Sequence, residues 1–147
     1  MPPTPTDNML QLLHTMDIDV NIFDTDCFGV MWHGAYTKWL EMGRVKFLEA
    51  QGIALSKPGE PNGYVYPVVE QNFKFKSPAT FGDKLTLTTR LAIEGYKLFF
   101  YQTFRSHNTD KITVEAVTTA VLVDSDWKVQ RRLPDFMRKG LGLTEET

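Results

Sequence analysis

From Thr15 to Phe23 apolar and polar residues alternate. Met16, Ile18, Val20 and Ile22 fall on one parity, Asp17, Asp19 and Asn21 on the other. A period of two puts the two sets on opposite faces, so the stretch predicts a half-buried strand. Asp24-Thr25-Asp26 ends it, and Gly29 marks an irregular turn. The period then lengthens. Tyr36, Leu40, Gly43 and Phe47 recur at helical steps, widened by Trp39 and Leu48, which predicts a helix from Gly34 to Gln51 stopped by Gly52. Gly43 inside that helix costs about 1 kcal/mol against alanine. Close approach of another backbone is the expected reason.

Ser56 to Gly63, with two prolines and two glycines, reads as a loop. The remainder is mostly β. Tyr64 to Lys76 is one strand region bent at Pro67. Phe81-Gly82-Asp83 turns into Lys84 to Ile93. Glu94-Gly95 makes a hairpin into Tyr96 to Ser106, and Asn108-Thr109-Asp110 turns into Ile112 to Val123. Trp127 to Gln130 is a candidate short strand, and Pro134 opens a short helical stretch ending at Gly140. One long helix followed by meandering strands predicts an α+β domain with an antiparallel sheet of five to six strands. The domain is expected over residues 15–140, with a flexible N-terminal tail at 1–14 and a C-terminal tail at 141–147. One helix covers only part of such a sheet, so a second copy is expected on the unburied edge or face.

At 147 residues, 42% hydrophobic and 23% charged, the chain has the length and composition of one globular domain. A net charge of −2 supplies no field to recruit nucleic acid or an anionic membrane. No apolar run reaches the roughly eighteen residues of a membrane span. The Pro- and Thr-rich start lacks the layout of a secretory signal, so a cytoplasmic location is the expectation. The single cysteine, Cys27, leaves no intramolecular disulfide and no multi-cysteine zinc site.

The chemistry concentrates between strand and helix, in Phe23-Asp24-Thr25-Asp26-Cys27-Phe28-Gly29-Val30-Met31-Trp32-His33-Gly34-Ala35-Tyr36. A carboxylate in a tight loop is followed by a helix N-terminus, whose free N–H groups can polarise a carbonyl oxygen. These residues resemble the hotdog-fold thioesterases of the 4-hydroxybenzoyl-CoA thioesterase superfamily, through Asp24-Thr25-Asp26, Gly29-Val30, His33 and Tyr36. Trp39, Glu41 and Arg44 are similar to that family's helix pattern. The resemblance implies a hotdog fold, the sheet wrapped around the long helix, and hydrolysis of an acyl-CoA thioester without metal or prosthetic group. It implies Asp26 as catalytic carboxylate, either nucleophile or general base. It implies His33 as donor of a backbone N–H to the thioester carbonyl, and Tyr36 as an aromatic facing the site. Gly29, Val30 and Trp32 are the implied substrate-binding residues of the loop. Asp24, Glu41 and Arg44 are the implied structural members near the site, and a homodimer or homotetramer is the implied assembly. Trp32 stands where related enzymes often carry Tyr, which leaves the acyl group open.

Each feature has a plainer competitor. Asp26 could cap a turn, and Asp24 could hold the loop by bonding backbone amides. Glu41 and Arg44, three apart, could pair along the helix. Calcium is rejected because Phe28 and Ala35 occupy the fifth and twelfth positions of a loop begun at Asp24. A Cys27–His33 nucleophile is disfavoured because the adjoining carboxylate raises the thiol pKa. His14, before the strand, and His107, at a strand end, are expected in solvent. Lys74 and Lys76 share one face of their strand, and Arg131, Arg132, Arg138 and Lys139 form a second basic cluster. Either group could meet the phosphates of CoA or simply be solvated. Two other functions compete: a hotdog hydratase or dehydratase, for which no motif appears, and a non-catalytic acyl-CoA binding module.

Overall fold

The computed structural model describes residues 9–55, 60, 61 and 63–143. Its first strand, β1 (Met9–Asp19), begins six residues earlier than the alternation suggested, so residues 9–14 belong to the sheet and not to a tail. The inward parity runs on through Leu10, Leu12 and His14, but apolar Leu13 faces outward and polar His14 inward, so residue type hides the alternation there. His14 therefore lies within β1, with its Nδ1 buried, and not before it. At the far end β1 stops at Asp19, and Ile22–Asp24 form a 3-10 turn. Ile22, assigned to the buried parity, is consequently 70% exposed.

The helix α1 (His33–Ala50) follows, stopped by Gly52 at φ 75°. The region expected as one bent strand is two: β2 (Tyr64–Val65) and β3 (Val68–Phe75). Then come β4 (Lys84–Glu94), β5 (Lys97–Ser106), β6 (Ile112–Val121), β7 (Val123–Asp124) and α2 (Asp135–Gly140). β1, β4, β5, β6 and β3 lie side by side in that order, every pair antiparallel. β2 instead pairs with β7 as a separate ribbon. The candidate strand after Trp127 reduces to a single bridge between Val123 and Val129, because Trp127 turns the chain at φ 62°. Leu141, assigned to the C-terminal tail, is buried in the core, and the tail residues 1–8 and 144–147 lie outside the described residues.

One face of this sheet wraps α1, giving the α+β hotdog architecture. The wrapped interior has two parts. Tyr36 and Leu40, from the first half of α1, pack with Ile18, Leu85, Leu87 and Phe104. Phe47 and Leu48, from the second half, pack with Leu98, Phe100, Leu133 and Met137. Between them lies a buried polar node. Gln102 donates to the Leu40 carbonyl (2.9 Å) and to Thr89 (3.0 Å), while Arg44 donates to Gln102 and Thr118 (3.3 Å each). Gly43 sits here, but side chains and not a backbone crowd it. A Cβ at Gly43 would lie 2.7 Å from Leu87 and 2.8 Å from Gln102.

Candidate active site

Residues 25–31 form a small hairpin between the 3-10 turn and α1. Thr25 bridges Met31, the Asp26 N–H donates to the Val30 carbonyl (2.9 Å), and the Gly29 N–H to the Asp26 carbonyl (3.0 Å). Gly29 takes φ 73°, a region where side chains are strained. The hairpin is docked on the chain before β4: Met31 N–H donates to the Ala79 carbonyl (2.8 Å) and Phe81 N–H to the Gly29 carbonyl (3.1 Å).

Asp26 opens the hairpin's tip and is exposed. Its Oδ1 accepts the Phe28 N–H (2.9 Å) and the Val30 N–H (3.2 Å), so the turn-holding role is real. Those two bonds also fix the carboxylate's direction, while Oδ2 receives no hydrogen bond from a described residue. Asp24 holds the hairpin's base. Its carbonyl accepts the Trp32 N–H (3.2 Å), which fastens the loop to the start of α1. Its side chain is 1% exposed and accepts from Lys38 Nζ (2.9 Å) at Oδ1 and from the Asn21 N–H (3.0 Å) at Oδ2. Burial pushes the Asp24 carboxyl up. The bonds from Asn21 and Lys38 outweigh that and leave it below the usual carboxylate value.

Trp32 is the N-cap of α1 and supplies no side-chain acceptor. The Ala35 N–H donates to the Trp32 carbonyl (3.0 Å), and the His33 and Gly34 amides before it have no hydrogen-bond partner among the described residues. The Trp32 ring lies against Gly34, in space a Cβ there would fill. The His33 ring is exposed and rests on Phe73, centroids 4.5 Å apart. Phe73 stacks on Phe75, and Tyr36 meets Phe75 and Phe104 edge-on. Tyr36 is buried, which pushes its phenol up and keeps it protonated. It lines a cavity of about 330 Å3 with Val30, Met31, Phe75 and Lys76. Lys74 and Lys76 are exposed at this end of β3.

Thus Asp24, Asp26, Gly29, Val30, Trp32, His33 and Tyr36 come together around one helix start. Glu41 and Arg44 do not. They lie about 12 and 16 Å further along the axis of α1. They line a larger cavity, of about 540 Å3, with Leu48, Tyr66, Val68 and Trp127. No Glu41–Arg44 ion pair forms among the described residues. Arg44 turns inward instead, 4% exposed, and its Nε has no hydrogen-bond partner among the described residues. Burial lowers its affinity for the proton, offset by Tyr66 and Glu41 nearby. Cys27 is a free, exposed thiol. Among the described residues no group of three His, Cys, Asp or Glu side chains could hold a metal ion, and no helix is long and apolar enough to cross a membrane.

Two participants escaped sequence reasoning. Gln102 had a signal, as a polar residue on the inward parity of Leu98, Phe100 and Phe104. Lys38 had none, because nothing local announces a partner fourteen residues back.

A five-stranded antiparallel sheet around one helix, with a carboxylate hairpin at the helix start, defines a hotdog fold of the thioesterase class. The chain belongs to the Thioesterase-like superfamily, whose profile matches residues 20–141. It is 28% identical over 112 residues to YneP of Bacillus subtilis (strain 168), provisionally named an acyl-CoA thioesterase, covering 75% of this chain and 79% of that protein. It is 28% identical over 131 residues to the chloroplastic acyl-acyl carrier protein thioesterase ATL2 of Arabidopsis thaliana, covering 88% and 68% respectively. Its fold superposes on Slr0204, a 1,4-dihydroxy-2-naphthoyl-CoA thioesterase from Synechocystis, with TM-score 0.78 at 17% identity, covering 88% of this chain and 96% of that one.

Proposed function

We propose that the chain hydrolyses an acyl-CoA thioester to the free acid and CoA. The observation that carries this reading is the join at the hairpin's base. The Asp24 carbonyl holds the Trp32 N–H, so the loop bearing Asp26 and the His33 and Gly34 amides of α1 form one unit. A thioester carbonyl resting on the His33 N–H would have its developing negative charge stabilised by that donor and by the helix dipole. The Asp26 carboxylate then attacks the carbonyl carbon or takes a proton from the attacking water. The first route passes through an anhydride. A single turnover in 18O-labelled water separates the two by whether the first product carries oxygen from the enzyme.

The exposure of Asp26 has a direct explanation in assembly. β3 is an edge strand, with Val69 57% and Phe75 59% exposed along it. Such an edge invites pairing with a second copy. Antiparallel pairing of two β3 strands sets the Val68 end of one copy against the Phe75 end of the other. The larger cavity of one protomer then adjoins the hairpin of its partner. In this reading the acyl group lies in that seam, and Lys74 and Lys76 face the CoA phosphates.

Asp26→Asn should lower thioester turnover by about a hundredfold or more with the fold intact. Near-normal turnover would defeat the assignment. Size-exclusion chromatography should show a dimer or larger, and Val69→Lys should weaken assembly and activity together. A fully active monomer would remove the seam. The panel of substrates should include acyl-acyl carrier protein beside acyl-CoA, because the Arabidopsis relative is named for that carrier.

A further inference from the structure

We propose that Lys38 is a positioning residue for hydrolysis: through Asp24 it locks the hairpin bearing Asp26 to the first turns of α1, so that carboxylate and helix amides keep one relative placement. The inference rests on the reading of Asp26 given above. Among the described residues Asp24 grips both parts, by backbone and by side chain. Its carbonyl takes the Trp32 N–H at the helix start (3.2 Å), and its carboxylate takes Lys38 Nζ from the second turn (2.9 Å). The other carboxylate oxygen is occupied by Asn21, from the N-terminal side of the 3-10 turn (3.0 Å). Three pieces of chain therefore meet on one buried acid.

Lys38 is not an ordinary surface partner. Its stem is half exposed, but the acid it meets is almost wholly buried, at 50% and 1% respectively. Exposed pairs are weak because water screens them, whereas a buried carboxylate deprived of its cation is costly. The ammonium also sits over the rings of Phe23 (5.1 Å) and Trp39 (4.8 Å), which limits where it can go. Lys38 is the charged group facing Asp24, and Asn21, the other partner, is neutral. Without Lys38 the burial of Asp24 is opposed by Asn21 alone. The carboxyl then binds a proton at higher pH and loosens its hold on the hairpin.

The test uses the full chain and compares Lys38→Met, Lys38→Arg and Asp24→Asn. For Lys38→Met, kcat should fall about tenfold, less than the roughly hundredfold that a misplacement of about 1 Å can cost. KM should stay within about twofold. The acidic limb of the kcat profile should move to higher pH, and Lys38→Arg should recover most of the loss. Adding Asp24→Asn to Lys38→Met should cost little more, because both remove one clasp. Unchanged kcat and pH profile with a lowered Tm would overturn the proposal, as would a raised KM with unchanged kcat, the mark of a CoA phosphate contact. Lys38→Gln replaces Lys38→Met should the latter not fold. If the unaltered protein turns over no acyl-CoA, the proposed function fails, but the clasp is still decided. Carbon-13 NMR must show the Asp24 carboxyl titrating higher in Lys38→Met, and an unchanged titration overturns it.

Discussion

The two ends of α1 are built on opposite plans. Its second half is held by packing, Phe47 and Leu48 lying among Leu98, Phe100 and Leu133 with Met137 added by α2, although Arg44 and Leu48 also line the larger cavity. Its first half packs Tyr36 and Leu40 inward against Leu85 and Phe104, but its outer side is held by a few hydrogen bonds from a hairpin and one buried acid. There Ile22, Phe23, Phe28 and Trp32 remain exposed. Between them the node of Arg44, Gln102 and Thr118 interrupts the apolar interior. The contrast separates two tasks. Burial beneath both halves stabilises the domain, which leaves the outer side of the first end free to present a carboxylate and the amides of His33 and Gly34.

Breaking the packed end should have the largest effect on stability. Phe47→Ala should cost about 3–5 kcal/mol in denaturant unfolding. The rate per folded molecule should hold, since Phe47 lines neither cavity. Gly43→Ala should cost about 1–3 kcal/mol, because a Cβ there strikes Leu87 and Gln102 and pries open the polar node between the two ends. A smaller effect should appear at the hairpin end as the solution is acidified. Asp24 has a lowered pKa in the fold, so its contribution is complete above the unfolded-state value of about 3.9. That contribution is lost as pH falls through the folded value. Unfolding midpoints measured from about pH 6 to about pH 3 should therefore fall less steeply in Asp24→Asn than in the unaltered protein. The smallest effect belongs to Cys27→Ser. With the thiol exposed, stability should change by less than about 0.5 kcal/mol and turnover should stay normal. Abolished turnover would bring back a cysteine nucleophile and change what the hairpin is for.

Much of this was legible from local pattern. The helix was placed to within a residue at each end, because Tyr36, Leu40 and Phe47 keep their spacing and Gly52 ends the run. The turns at Gly82, Gly95 and Asp110 were readable because each needs a positive φ that few residues tolerate. The motif from Asp24 to Tyr36 pointed to one helix start, where the structure gathers it.

Other features depended on partners distant in sequence. Contact with β4 decided that β1 starts at Met9, since an outward Leu13 and an inward His14 hide the alternation a reader relies on. Pairing decided that β2 leaves the main sheet for β7. Space beneath the helix decided that Arg44 turns inward to Gln102 and Thr118, away from Glu41. The chain's own order of residues determined its elements, its turns and the segment that carries chemistry, because those follow from periodicity and backbone sterics within a few residues. Only the tertiary structure decided which side chains are buried together, which acid holds the loop and which faces solvent, because burial and ion pairing depend on neighbours that folding brings from elsewhere in the chain.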